Sequence, residues 1–289
     1  MNDELLHFKI DPIISHALNE DITDDDISTK ILAHKDALAS VELLAKQDGV
    51  LAGISVFERV FQLLDKNVKV EKFYQDGDKF QNGDILAKIY GPVQSLLSGE
   101  RVALNFLQRM SGIATATSHM VAQLKGSQIK LMDTRKTTPG LRLLEKYAVR
   151  AGGGHNHRYN LSDMIMLKDN HINAAGGVKQ AIYLAKEQAP FIKKIEVETE
   201  NLEMVKEAVE AGADIIMLDN MNAKQMEEAI KVIDGRAIVE ASGNMTAENI
   251  AKYKTLAIDY ISSGAITHSA GIVDLSMKNL TLTNRVQKL

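Results

Sequence analysis

The chain has 289 residues, 45% of them hydrophobic, with 34 Lys and Arg against 38 Asp and Glu for a net charge of −4, and no cysteine. That length and apolar content allow one large domain or two moderate ones, and the near-balanced charge excludes a global field for nucleic acid or membrane, so an anion site has to come from local clustering. The missing cysteines rule out disulfides, thiolate metal sites and cysteine nucleophiles. With no basic-then-apolar leader pattern at MNDELLHFKIDPII and no apolar run near the ~18 residues of a membrane span, they point to a soluble, unprocessed, cytoplasmic protein.

Asp11 as cap and Pro12 in the first turn predict an N-terminal helix to about Asn19, followed by the acidic stretch DITDDDIS, which reads as a solvated loop and not a metal site. A strand follows near residues 39–46, then a helix whose Phe57, Val60, Phe61 and Leu64 keep helical spacing. VKVEKFY and DILAKIYG read as short strands bracketing turns at Gln75-Asp76-Gly77-Asp78 and Asn82-Gly83-Asp84. From Val93 to about Lys125 the pattern is helical, its apolar stripe interrupted near Ser111-Gly112, where a domain boundary is placed. Residues 1–112 thus read as α+β, without strict alternation of strand and helix.

Beyond Gly126 the grammar becomes strand, loop, helix, repeated. The strands are IKLMDTR, DMIMLKD, IKKIEVET, ADIIMLDN, RAIVEAS and DYISSGA, with segments of helical character between them such as NLEMVKEAVEAG and NAKQMEEAIKVIDG. Such alternation calls for parallel strands, in a barrel or a doubly wound sheet. Six strands fall short of the eight that take typically about 250 residues, so an incomplete parallel α/β barrel over residues 113–269 is expected.

Each strand ends in a residue suited to ligands: Arg135 and Lys136, Lys168, Glu198, Asp219, Ser242 and Gly243, and Gly264. In parallel α/β folds these ends meet at one rim. Cations on the early strands suit carboxylates or phosphates, the carboxylates Glu198 and Asp219 suit ribose hydroxyls or Mg2+, and the late loops ASGN and SSGA offer backbone donors to a phosphate. Between the first two strands, AGGGHNHRYNLSD adds His157 and Arg158. Arg101, on the long helix, could reach the rim only from another domain or subunit. His155, His157 and His171 lack the spacing of a metal site. Glu196 is assigned to the opposite strand face from Glu198, structural or surface-facing, and Met132, Met164, Met166 and Met217 to the core.

ERVALNFLQRMSGIATAT, DTRKTTPGLRLLEKYAVRAGGGHNHRYNLSDMIMLKDNH, IEVETENL, IMLDN and EASGN, in that order, resemble the quinolinate phosphoribosyltransferase family from about Asp21 to His268. The resemblance implies an N-terminal α/β sandwich domain (1–112, rejoined by 270–289), an incomplete barrel, and a homodimer with an active site shared across the interface, higher oligomers being open. It implies decarboxylating transfer of phosphoribose from phosphoribosyl pyrophosphate to quinolinate in NAD biosynthesis, with Mg2+. By resemblance Arg101, Arg135, His157, Arg158 and Lys168 hold quinolinate. Thr134, Lys136, Glu198, Asp219, Ser242, Gly243, Asn244, Ser263 and Gly264 hold the donor, with Glu198 and Asp219 nearest the metal. Lys136, Lys168, Glu198 and Asp219 are the catalytic candidates. Two departures stand out: Thr199 follows Glu198 where an apolar residue is common, and SGNMT replaces the frequent SGG. Rival readings are a relative with another pyridine acceptor, a Schiff-base lyase using Lys168, and a non-catalytic phosphate-binding module.

Overall fold

The computed structural model describes residues 3–32 and 34–283, which cluster by contact into two compact units. The first takes in the chain to Ala116, Pro139–Gly152 and the stretch from Ala270; the second takes in Thr117–Thr138 and Gly153–Ser269.

In the first unit, helix α1 (Asp3–Asp21) begins well before the expected cap and runs through Pro12. Ile10, Ile14 and Leu18, each four apart, are buried, and Asp11 accepts Nε and Nη2 of Arg59 at 2.8 and 2.7 Å instead of capping a helix. A bidentate ion pair and a buried stripe together offset the ~3 kcal/mol that an interior proline costs. Part of the acidic stretch is helical too: α2 (Ile27–Lys30) starts at Asp26, whose carboxylate accepts the Thr29 N–H at 3.0 Å.

Strands β1 (Leu38–Ala45) and β2 (Gly49–Val50) lead into α3 (Ile54–Leu64), whose Phe57, Val60 and Phe61 are buried as their spacing requires. Then come β3 (Lys69–Lys72), β4 (Lys79–Phe80) and β5 (Ile85–Pro92), with β5 antiparallel to both β1 and β3. The turns between β3 and β5 use glycine at positive φ, Gly77 at 97° and Gly83 at 96°. Helix α4 (Val93–Gln123) passes through Ser111-Gly112 without a break. Both residues are there for packing: Ser111 Oγ accepts the Ala52 N–H at 3.1 Å, and a Cβ on residue 112 would lie 1.9 Å from the Gly271 carbonyl oxygen. Helix α5 (Arg142–Ala151) also packs within this unit.

The second unit holds the six strands read from the sequence: β6 (Lys130–Met132), β7 (Ile165–Leu167), β8 (Ile195–Thr199), β9 (Ile215–Asp219), β10 (Ile238–Ser242) and β11 (Tyr260–Ser262). All pairs are parallel, in the order β6-β11-β10-β9-β8-β7. That is the order of a barrel opened between its first two strands. Helices α6 (Asp169–Ala175), α7 (Val178–Gln188), α8 (Leu202–Ala211) and α9 (Ala223–Ile233) form the crossovers; a 3-10 turn at Ile250–Tyr253 serves before β11, and α10 (Ala265–His268) follows it. Gly212, at φ 71°, ends α8, whereas α9 ends on Asp234, itself left-handed at φ 46°, one residue before Gly235. Finally β12 (Leu275–Leu282) pairs antiparallel with β1 and completes the first unit's sheet, β12-β1-β5-β3. On it Glu42 stands opposite Lys88 on one side and Lys278 on the other, a favourable cross-strand arrangement. The tail beyond Thr283 lies outside the described residues. Among those residues no helix is long and apolar enough to cross a membrane.

Candidate active site

The carboxyl ends of β6 to β11 surround a cavity of about 730 Å3. Thr134, Arg135 and Lys136 enter it after β6, Lys168 after β7, Glu198 from β8 and Asp219 from β9. Ser242, Gly243 and Asn244 come from the end of β10, Ser263 and Gly264 from after β11, and His157 and Arg158 from the connection between β6 and β7. Of the candidates singled out in the sequence, Arg101 alone is not in this lining; it is exposed on α4, in the first unit.

A strand's two-residue repeat explains who else is present. Met166 shares a face with Lys168, Met217 with Asp219, and Glu240 with Ser242, so all three line the cavity. Met166 and Met217 are therefore walls of the site, not core alone. The same repeat overturns the reading of Glu196. Residues 196 and 198 are two apart and must share a face; Glu196 points inward, is 0% exposed, and lies 3.2 Å from His157 Nε2. Glu240, 1% exposed, lies 3.4 Å from the same nitrogen.

At the open edge of the sheet, the loop after the glycines is zipped to β6 in place of a neighbouring strand. The His155 N–H donates to Leu131 O at 2.8 Å, and the Asp133 N–H donates to His155 O at 3.0 Å. Fully buried Asp133 then accepts the His157 N–H at 2.8 Å and Asn156 Nδ2 at 2.7 Å. Of the three glycines only Gly153 needs its freedom, at φ 87°. His155 is exposed, and His171 uses Nδ1 to accept the Lys168 N–H at 3.0 Å, so the histidines do not converge on one point.

The electrostatics are tense. Burial, and then the charge of Arg135, push the Arg158 guanidinium below its ordinary pKa. Arg158 reaches Met164 O at 3.3 Å and Met166 Sδ at 3.4 Å. Burial and the neighbouring Glu198 raise Asp219, against the hydrogen bond from Asn220 Nδ2 at 2.7 Å. Glu198 in turn is ion-paired with Lys168. Around His157, burial opposes an imidazolium while the carboxylates of Glu196 and Glu240 favour one. Yet Nδ1 accepts the Arg158 N–H at 2.7 Å and has no room for a proton. The geometry therefore puts the cluster's extra proton on a carboxylate: Glu196 is the one pushed upward, by its burial.

Backbone strain marks the rim of β9 and β10. Asn220 and Asn244 are left-handed, at φ 54° and 51°, and Gly243, at φ 95°, has no space for a Cβ, which would fall 2.3 Å from Asn220 Oδ1. Asparagine is the non-glycine residue that best tolerates this region, so Asn244 can follow Gly243 in the turn. Gly264 is bare for a similar reason: a Cβ would press on His268 and on Lys136 Cδ at 3.0 Å or less. Thr199, the other departure, is buried and donates Oγ1 to Met217 O at 2.9 Å. Sequence reasoning passed over Asp133, Glu240, Asn220 and His268. The two-residue repeat could have found Glu240; the others are visible only once loops are folded.

These features can hold two anions at once, one between guanidinium and lysine groups and one against glycine-rich turns, with acids between. The profile of the quinolinate phosphoribosyl transferase N-terminal domain matches residues 26–111, and that of the C-terminal domain matches residues 113–278. The probable nicotinate-nucleotide pyrophosphorylase [carboxylating] of Bacillus subtilis is 44% identical over 278 residues, covering 96% of either chain. The crystal structure of NadC from Streptococcus pyogenes superposes with a TM-score of 0.93 at 53% identity, over 96% of this chain and 98% of that one. The nicotinate-nucleotide pyrophosphorylase from Francisella tularensis does so with a TM-score of 0.89 at 37% identity, over 93% and 95%. With both domains matched in order along nearly its whole length, the chain belongs to the quinolinate phosphoribosyl transferase family.

Proposed function

We propose that this cavity transfers phosphoribose from phosphoribosyl pyrophosphate to quinolinate, giving nicotinate mononucleotide, pyrophosphate and carbon dioxide, a step of NAD biosynthesis. The observation that carries the reading is the sorting of charge around one rim. Arg135, Arg158 and Lys168 stand together in the lining, with Glu198 and Asp219 on the adjoining strands and small residues after β10 and β11.

Two guanidiniums that repel one another and are partly desolvated gain when a dicarboxylate enters between them, because each donates to a carboxylate as a planar fork. Arg135, Arg158 and Lys168 take this part, and His157, whose ring nitrogens face Glu196, Glu240 and the Arg158 N–H, supports them from beneath. Lys136 lies against Gly264 and so beside the turn after β11; with Thr134, Ser242, Gly243, Asn244 and Ser263 it takes the phosphates of the donor. The ring nitrogen then attacks the anomeric carbon as pyrophosphate leaves, and the charge that spreads over the sugar faces Glu198 and Asp219. Once that nitrogen is quaternary, the adjacent carboxylate leaves as carbon dioxide and the ring carbon takes a proton. No nucleophilic side chain is needed.

Glu198 and Asp219 also fit Mg2+: both are hard oxygen donors on neighbouring strands, lining one cavity. Mg2+ bound there would neutralise the departing pyrophosphate. Arg101 is assigned to the quinolinate of a second subunit in a homodimer, and the absence of cysteine fits the cytoplasm.

The reaction is tested by mixing protein, Mg2+, phosphoribosyl pyrophosphate and ring-carboxyl-labelled quinolinate. Labelled carbon dioxide and nicotinate mononucleotide are expected; turnover of nicotinate with none of quinolinate would favour a relative using another acceptor. The shared site is tested with two inactive variants, Arg101→Ala and Lys168→Ala, which regain partial activity when mixed as heterodimers. Verified subunit exchange without any regain would contradict it. Asp219 gives a pH test. Its folded-state pKa is raised, so its contribution favours folding below the ordinary carboxylate pKa and is lost as pH rises through the folded value. Asp219→Asn should therefore abolish turnover yet raise the melting temperature at neutral pH, with a gain that shrinks on acidification. A lower melting temperature at neutral pH would count against a strained acid.

A further inference from the structure

Beneath the rim lies a group that the reaction above does not use. Glu196 on β8 and Glu240 on β10 are buried to 0% and 1% exposure, and both carboxylates face His157 Nε2, at 3.2 and 3.4 Å. Both oxygens of Glu196 and Oε1 of Glu240 lack an aligned hydrogen-bond donor. Buried carboxylates left this way are costly, so what they do calls for an account.

A metal site is one reading, since one ligand atom from each of the three residues falls within 4.8 Å of the others. The histidine's other nitrogen excludes it. Nδ1 accepts the Arg158 N–H at 2.7 Å, which makes His157 the Nε2–H tautomer; that ring turns a hydrogen, not a lone pair, toward the acids. The contacts instead form a chain running outward. The two glutamates flank Nε2, Asp133 accepts the His157 N–H at 2.8 Å, and Nδ1 accepts the Arg158 N–H. From that backbone Arg158 extends past Met164 O and Met166 Sδ into the cavity. Both nitrogens of His157 are thereby engaged within the protein.

We propose that Glu196 and Glu240 are positioning residues: acting through His157, they fix the backbone from which Arg158 reaches and so set where the dicarboxylate sits. The proposal rests on the quinolinate reading for its kinetic consequence but not for its geometry. The imidazole serves as a strut between the barrel interior and the rim.

The test pairs Glu240→Leu, similar in size with no acceptor, with Glu240→Gln, which can still accept from Nε2–H. The Leu variant should raise KM for quinolinate about tenfold, the scale of losing one charge-assisted hydrogen bond, while KM for phosphoribosyl pyrophosphate stays within about twofold. Gln should recover most of the loss. An unchanged quinolinate KM in a folded Leu variant, or an equal fall in kcat with no preference between substrates, overturns the proposal. Nitrogen-15 spectra of wild-type histidines decide it independently of folding and of substrate: His157 should show a protonated Nε2 and a bare Nδ1 near neutral pH. An Nδ1–H tautomer or an imidazolium overturns the chain even if quinolinate is turned over. Absence of quinolinate turnover with the expected tautomer would instead overturn the functional reading.

Discussion

Parallel pairing in register governs nearly everything in the second unit. It sends every second residue of β6 to β11 to one surface and brings every carboxyl end to one rim, so residues far apart in sequence share one cavity. Lys168, Glu198, Asp219 and Ser242 are neighbours only because their strands are. The repeat also fixes what lies one layer down: Met166, Glu196, Met217 and Glu240 follow from the same alternation. Opening the barrel between β6 and β7 leaves an edge, and the His155 backbone occupies it, which delivers His157 and Arg158 to the same place.

The cost of this arrangement is electrostatic. Arg158 is held below its ordinary pKa and Asp219 above, and two acids lie buried beside a histidine whose second nitrogen is already occupied. A protein selected for stability alone would not collect such groups. They are consistent with a site that receives charged ligands: an anion beside Arg158, and a cation or a developing positive sugar beside Asp219. The positive-φ residues Asn220, Gly243 and Asn244 at the turns of β9 and β10 belong to the same logic, since they expose backbone where a phosphate would approach.

Much of the fold was legible because its signals are periodic. Apolar runs ending in Asp, Glu, Lys or Gly named all six parallel strands, and Phe57, Val60 and Phe61 named α3. Local punctuation was less dependable. Pro12 looked like a helix start and Ser111-Gly112 like a break, yet both lie inside helices, because Arg59 pairs with Asp11 and Gly271 packs against Gly112. No local rule contains those distant partners. Glu196 differs: the two-residue repeat of β8 puts it on the same inward face as Glu198, against the opposite-face assignment, and no distant partner is needed to see it. Asp133 could not be read at all, since its role depends on how the glycine loop folds back onto β6.

The function proposed for the cavity depends on paired guanidiniums recognising a dicarboxylate. The most direct test is kcat/KM for quinolinate in Arg135→Ala and Arg158→Ala, measured with saturating phosphoribosyl pyrophosphate. Each substitution is expected to cost about 2–4 kcal/mol of transition-state stabilisation, the scale of removing a charge-assisted donor from a preorganised site. Near-normal kcat/KM in both folded variants would contradict the account.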